Sequence, residues 1–427
     1  MSIRSVGTLV PTLMVALAGA WCVRTAVAQP LTLDRALELA RARSQAVVAQ
    51  DSAAVAAREL AVAAGQLPDP TLTVGINNLP VTGSDRFSLT DDFMTMRSIG
   101  VMQEFTREGK RKARSARYER EAESAEAGKQ LAVANLSRDT ALAWLDRYYQ
   151  ETISAMLRRQ REEAMLSIDA AEATYRGGRG SQGDVIMARA SVAMIDDRIA
   201  QNDRDVLTAK TMLARWVGAP ANDALAAPPS TAASPIDVAD LDSRLAHHPA
   251  IAVLTKQEEV AQAEAEVARA AKDTDWSLAL MYSQRGPSYS NMVSINVSIP
   301  LQWDQRNRQD REVAAKLALA DQARAQREEM LRDHLAEIRV MWLEWQSYRE
   351  RLARYDSTLL LLATERTRAG MTAYRSGTGP LVAVLDARRS EIDTGIERVK
   401  LELESARVWA RLYFLLPPEH SARVVRG

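Results

Sequence analysis

Few residues of this 427-residue chain have types and spacing suited to covalent chemistry. Gly178-Arg179-Gly180-Ser181-Gln182-Gly183 fits the G-x-G-x-x-G pattern of a pyrophosphate cradle. It follows a helical pattern, whereas a dinucleotide site needs a preceding strand. The basic run "EGKRK" (108–112) lacks the rest of a phosphate-binding loop. The four histidines, His247, His248, His334 and His420, form no H-E-x-x-H. The pair His247-His248 before Pro249 reads as the start of a helix rather than a metal site. Met94 and Met96 in "DDFMTM" carry thioethers that could touch a soft metal ion in transit, but they read first as loop residues. The expectation is therefore no enzyme: no catalytic residue, no cofactor and no resident metal.

Cys22 is the only cysteine. It lies in an apolar run, "GTLVPTLMVALAGAWCV", that follows Arg4 and ends near Ala26-Val27-Ala28, an A-x-A cleavage pattern. Residues 1–28 thus read as an export signal, with a retained membrane anchor as the alternative. Trp21 before Cys22 argues against lipidation. Cleavage after Ala28 would remove the one thiol and with it disulfide, nucleophile and Cys-metal readings. The chain has 55 basic and 55 acidic residues, and this balance gives no reason to expect nucleic acid as a partner. Aromatics are 5% while Ala, Leu, Arg and Glu dominate, a composition for long helices.

Those long helices alternate with short ribbons. Residues 31–67 read as helix, stopped by Pro68 and Pro70. "TLTVGIN" (71–77) then alternates Leu72, Val74 and Ile76 against Thr, Gly and Asn. "SIGVMQEF" (98–105) places Ile99, Val101 and Phe105 on one face and Ser98, Gly100 and Glu104 on the other, with Gln103 breaking the pattern. Helix is expected from about Lys110 to Tyr175. After a Pro/Ala-rich linker (219–246) the order recurs: helix from Pro249 to about Lys272, strand 276–283, strand 292–301, and helix from Arg308 to Tyr374. "MVSINVSIPL" (292–301) alternates without a fault, the mark of a strand greasy on one face and wet on the other.

The duplication is also visible residue by residue. "YRGGRGSQGDVIMARA" (175–190) aligns with "YRSGTGPLVAVLDARR" (374–389) at an offset of 199, with seven identities in sixteen positions. A heptad stripe follows each turn: Ile195, Ile199, Asn202, Val206, Ala209, Leu213 and Trp216 in one, and Ile392, Ile396, Val399, Leu403, Ala406, Ala410 and Tyr413 in the other. Such stripes predict supercoiled packing against neighbours. A helix over 110–175 would be ~100 Å long at 1.5 Å per residue, too long for a compact domain. Helices 31–67 and 185–217 together match that length and can stack end to end beside it. The chain must build a rod or tube.

Four strands of this kind cannot be a soluble core, because nothing covers their greasy side. Their length suits the hydrocarbon layer of a bilayer. An open edge is forbidden there, since unpaired backbone groups cost several kcal/mol each. Copies must therefore pool strands, and three chains would give a barrel of twelve. Phe105, Trp276 and Trp303 fall at strand ends that share one rim in an up-and-down sheet, as interface aromatics do. Loops 78–96 and 284–291 occupy the other rim and are expected to be extracellular.

On these features, which span residues 31–415, the chain resembles the TolC-like outer-membrane efflux factors. The "LPDPTL…NLP" stretch (67–80) is most similar to their heavy-metal branch. The resemblance implies a mainly α fold with a small transmembrane β part: two repeats of helix-strand-strand-long helix, trimerised into a 12-stranded β-barrel continued by an α-helical barrel. It implies two repeats, 29–218 and 247–417, a linker 219–246 that forms an equatorial belt with the chain ends, and a C-terminal tail 418–427. It implies a homotrimer in outer-membrane lipid of a Gram-negative bacterium, docked to a periplasmic adaptor and an inner-membrane pump.

By the same resemblance the turns carrying Tyr175, Arg176, Gly178 and Gly180, and Tyr374, Arg375, Gly377 and Gly379, are the adaptor-docking tip. The glycines would supply the positive φ of tight turns. Asp386 in "AVLDAR" matches an aspartate that rings the tunnel entrance in the family archetype. Ala383 stands where that archetype has a second aspartate, and Asp184 in "GDVI" would supply another ring or cap its helix. The function implied is the passive exit duct of a tripartite efflux pump, RND-type, with heavy-metal cations the cargo to which the 67–80 stretch points. The alternatives are the duct of a type I secretion system and, in another class, a periplasmic structural coiled-coil rod.

Overall fold

The computed structural model describes residues 30–234, 236 and 248–415. The expected signal segment 1–28, residues 235 and 237–246 of the linker, His247, and the tail with His420 lie outside them.

The chain starts with α1, Leu33–Arg43, and α2, Gln45–Ala64. The single helix expected over 31–67 is thus two. Ser44 has extended backbone angles, and its hydroxyl accepts from Val47 N at 3.3 Å to cap the second helix. A serine that can satisfy a new helix start breaks a run whose apolar pattern continues straight through it.

Four strands follow in two pairs: β1, Thr71–Asn77; β2, Met96–Phe105; β3, Trp276–Gln284; and β4, Met292–Ser298. They form one antiparallel sheet in chain order, so β1 and β4 are its free edges. β4 ends three residues before the expected 301. Ser298 still pairs with Ser277, but Pro300 has no N–H to extend the ladder.

The first long helix, α3, runs Glu108–Arg176 over 69 residues, ~100 Å at the α-helical rise. A tight turn leads to α4, Gln182–Val217. In the second repeat come α5, Pro249–Ala270, then α6, Gln309–Arg354, a π turn over Tyr355–Leu359, α7, Leu360–Arg375, and α8, Leu381–Tyr413. The expected unbroken helix 308–374 is therefore continuous in direction but carries one wide turn.

Both repeats stack the same way. α2 lies along the first half of α3, with Lys129 paired to Asp51 at 2.7 Å, and α4 lies along the second half, with Arg161 on Asp196 at 2.5 Å. In the second repeat α5 pairs with α6 through Lys316–Glu264 at 2.7 Å, and α8 pairs with α7 through Thr364–Glu391 at 3.0 Å. The heptad stripes face these contacts: Ile195, Leu213, Ile396, Leu403 and Ala410 are buried. Asn202 sits in the stripe and donates to Gln150 at 3.0 Å, the kind of buried polar pair that fixes helix register.

The main apolar core lies halfway along the rod, around Trp144, Leu145, Leu213, Ile338, Trp345 and Leu412. There two backbone segments are pinned to α3. Trp144 Nε1 donates to Leu31 O at 3.0 Å, and Arg147 donates to Ala221 O and Asp223 O at 2.6 Å each. Leu31 and Leu225 form a short parallel bridge on that spot. Arg147 is 2% exposed, and Glu151 at 3.0 Å supplies its counter-charge. Among the described residues no helix is long and apolar enough to cross a membrane.

Candidate channel sheet and tunnel tip

The registers sort the sheet into two faces. Leu72 opposes Val101 and Val74 opposes Ile99; across the next ladder Val101 meets Leu280 and Ile99 meets Tyr282. Leu280 then meets Ile295, and Tyr282 meets Val293. All of these side chains share one face, and nothing among the described residues covers it: Val74 is 71% and Ile295 70% exposed. The opposite face carries Thr71, Thr73, Asn77, Ser98, Gly100, Ser277, Ser283, Ser294 and Asn296. Ser98 is buried there, accepting from Asn77 Nδ2 at 2.9 Å and donating to Gly75 O at 3.3 Å.

One rim of the sheet joins the helices. Phe105 and Trp276 are cross-strand partners, and their rings stack at 4.3 Å. Trp303 lies past the end of β4 and is 87% exposed. Gln103, the one fault in the β2 alternation, donates to Pro68 O at 2.8 Å and ties the strand to the segment that enters β1. Lys110 is buried against Asp275 at 2.7 Å, and Arg107 N donates to the same carboxylate. The two strand pairs are thereby fastened where β2 leads into α3 and where α5 leads into β3.

The other rim holds both loops, packed together. Arg285 donates to Phe93 O from the second loop to the first. Gly286 lies so close to Thr90 that a Cβ would fall 1.8 Å from its carbonyl oxygen, so no other residue fits.

At the far end of the rod the two turns repeat atom for atom. Gly178 N donates to Tyr175 O and Gly180 N to Thr174 O; 199 residues later Gly377 N donates to Tyr374 O and Gly379 N to Ala373 O. Gly178 and Gly377 have φ of +69° and +72°. Gly180 and Gly379 do not, which corrects the expectation of positive φ at all four. They are small for another reason: a Cβ on Gly180 would sit 3.0 Å from Thr174 Oγ1, and one on Gly379 3.0 Å from Ala373 Cβ. Tyr175 is 49% exposed on this tip, and Arg176 turns back toward Glu172 at 3.7 Å.

Residues 241–416 match the sequence model of the outer membrane efflux protein family. No curated protein matches the sequence. The fold is similar to the outer membrane protein VceC of Vibrio cholerae, at TM-score 0.73 and 18% identity over 90% of this chain and 95% of that one. It is similar to CusC, described for transmembrane channel formation, at 0.74 and 15% over 90% and 92%. The CmeC outer membrane channel of Campylobacter jejuni follows at 0.73 and 12% over 92% and 88%. The family match thus rests on residues 241–416, and the chain as a whole shares the fold of these outer-membrane channels.

Asp386 lies on α8, a few residues past the second turn. It is exposed and lines a groove with Arg366, Arg389, Asp393 and Glu397 below the π turn. Asp184 is already engaged. Ser181 N and Ser181 Oγ both donate to its Oδ2 at 2.8 Å, in a capping box that holds its carboxyl below the usual range. The structure does not bring Asp184 and Asp386 together in one contact.

His248 does start its helix, accepting from Ala250 N through Nδ1 at 3.2 Å. Its ring packs 5.0 Å from His334. Burial first, then His334 and Arg138, push its pKa down to about 4. Met94 is an exposed loop residue, while Met96 opens β2. Trp144 and Arg147 went unnoticed in the sequence, because a Trp and an Arg within a long amphipathic helix look like ordinary face residues.

Proposed function

We propose that three copies of this chain form the outer-membrane channel of a tripartite efflux pump. The observation that carries the reading is the sheet: one face is apolar and open, both edges are free, and it is fixed to a ~100 Å helical rod. In a bilayer such a sheet is stable only if its edges close on other copies. Its polar face then lines a water-filled bore, and the rod crosses the periplasm. Exposed apolar side chains on both flanks of the rod, Val55, Val62 and Leu207 on one and Leu319, Val340 and Leu361 on the other, are available for neighbouring subunits.

Residues 29–218 and 247–417 are read as the two repeats. The segment 219–246 with Leu31 is read as an equatorial belt, supported by its anchorage to Trp144 and Arg147. The twin turns are the tip that meets a periplasmic adaptor, and Asp386 is a carboxylate ring at the tunnel mouth. Energy comes from an inner-membrane partner, RND-type in this reading. Heavy-metal cations are the proposed cargo, supported by the 67–80 stretch.

The experiment is extraction and conductance. The protein should need detergent, run as a trimer, and open ion-conducting pores in planar bilayers. Release by salt as a water-soluble species would favour a structural rod instead. Deleting the protein and testing a panel of metal ions, dyes, antibiotics and exported proteins assigns the cargo; a defect confined to protein export would favour type I secretion.

A further inference from the structure

The polar face of the sheet has one kind of exception. Apart from Ala279 and the glycines, its apolar members are all methionines: Met96 and Met102 on β2, Met281 on β3 and Met292 on β4. Leucine, isoleucine and valine are confined to the opposite face there. The register orders three of these methionines. Met102 pairs with Ala279, two residues from Met281; Met281 pairs with Ser294, two residues from Met292. Each is therefore a diagonal neighbour of the next, a separation that long side chains span.

Space is kept for this row. A Cβ on Gly100, which opposes Met281, would lie 3.2 Å from Met281 Cβ and 2.9 Å from Leu280 O. Met102 is 39% and Met292 43% exposed, so both side chains are open on this face. Glu104 lies on the same face two residues after Met102, toward the helices. It is exposed and has no ion-pair partner among the described residues.

We propose that Met102, Met281 and Met292 form a thioether ladder that passes soft monovalent cations of the Cu(I) and Ag(I) class along the bore. Glu104 is the carboxylate that draws them in from the helical tunnel. Thioether sulfur selects soft cations over hard ones such as Mg²⁺. Two or three such ligands per step hold an ion weakly enough to hand it on, as conduction demands. The ladder names a cargo class for the efflux duct and rests on the reading of the polar face as its lumen.

The test uses the full-length trimer in nanodiscs with methionine ε-methyl groups labelled with ¹³C, after single-channel recording has shown that it conducts. Silver nitrate in chloride-free buffer should shift the resonances of Met102, Met281 and Met292 first. Exposed methionines on the rod, Met165, Met187 and Met194, serve as internal controls. Magnesium should move none of them. The triple variant Met102→Leu, Met281→Leu, Met292→Leu keeps the apolar volume, so it should remain a conducting trimer while Ag⁺ affinity falls ~10-fold or more, at least the loss seen for outer-shell changes at metal sites. A conducting trimer whose three resonances stay still, or move only together with the rod controls, overturns the ladder. A trimer that never conducts overturns the duct itself and the ladder with it.

Discussion

Arg388 on the last helix of the second repeat donates to Glu163 on the long helix of the first, at 2.7 Å. Arg198 on Asp393 at 2.6 Å and Arg407 on Asp146 at 2.7 Å complete a line of cross-repeat pairs along α8. All three are partly exposed, so each is worth at most about 1 kcal/mol. Their place matters more than their strength, because the apolar core sits at mid-rod and only a small cluster, Ala171, Val185 and Ala188, supports the tip. Replacing Arg388 and Arg198 together with alanine should speed amide hydrogen exchange over 381–396 while shifting the melting temperature little. Unchanged exchange there would show that helix packing alone holds the tip.

The open apolar face predicts a strict asymmetry between adjacent residues. Ile295→Lys places a charge toward lipid and should cost about 2–4 kcal/mol near the bilayer midplane. Ser294→Lys, one residue earlier, points into the bore and should be tolerated. Trimer yield in outer-membrane fractions reads the difference, and equal loss for both would contradict the assignment of faces.

The paired glycines of the tip should respond differently. Gly178→Ala forces a side chain into a left-handed backbone at a cost of about 1 kcal/mol, with open space around it. Gly180→Val instead drives a branched side chain against Thr174 and the Tyr175 backbone, and should open the α3–α4 turn. Limited proteolysis at 175–184 should therefore rise for Gly180→Val and stay near wild type for Gly178→Ala.

Two aspartates can be separated by their partners. Asp184→Asn weakens the capping box and should lower stability by about 0.5–1 kcal/mol with little change in conductance. Asp386→Asn removes a carboxylate from an exposed groove and should relieve blockade of single-channel current by multivalent cations. Unchanged blockade would remove Asp386 from the tunnel mouth without affecting the duct.

His248 makes stability depend on pH. Its folded pKa of about 4 lies below the usual 6.5, so the unfolded chain binds the proton more readily. The neutral ring's contribution is present above pH 6.5 and is lost as pH falls toward 4, a change of up to about 3 kcal/mol per chain. Thermal unfolding followed by circular dichroism should show a steeper acid decline for the wild type than for His248→Asn, which keeps a helix-capping side chain.

The strands were legible because alternation is a local signal that burial cannot mask. β1 was expected over 71–77 and is found there, bounded by Pro70 and by Asn78 with its positive φ. The same signal overran in β4, where the alternation outlasts the hydrogen bonds that Pro300 ends. Ser44 was missed because serine also sits within helices, and only its extended backbone breaks this one. The twin turns were recognisable as a repeat, yet the reason for Gly180 and Gly379 is a close approach that spacing does not reveal. The fault at Gln103 was seen in the sequence, but its partner, Pro68 O, is 35 residues away. The candidate aspartates were found by resemblance, and only coordinates separate the capped one from the free one.

The wide turn at Tyr355–Leu359 places one surplus residue in a column of otherwise regular pitch. Every side chain beyond it is rotated by ~100° relative to an uninterrupted spiral. Above that point the column offers one stripe to α5, and below it a different stripe meets α8. Excising a single residue there would restore an even pitch and leave every side chain beyond it where it stands, whereas closing the turn with that residue kept would swing the whole lower segment about its own axis.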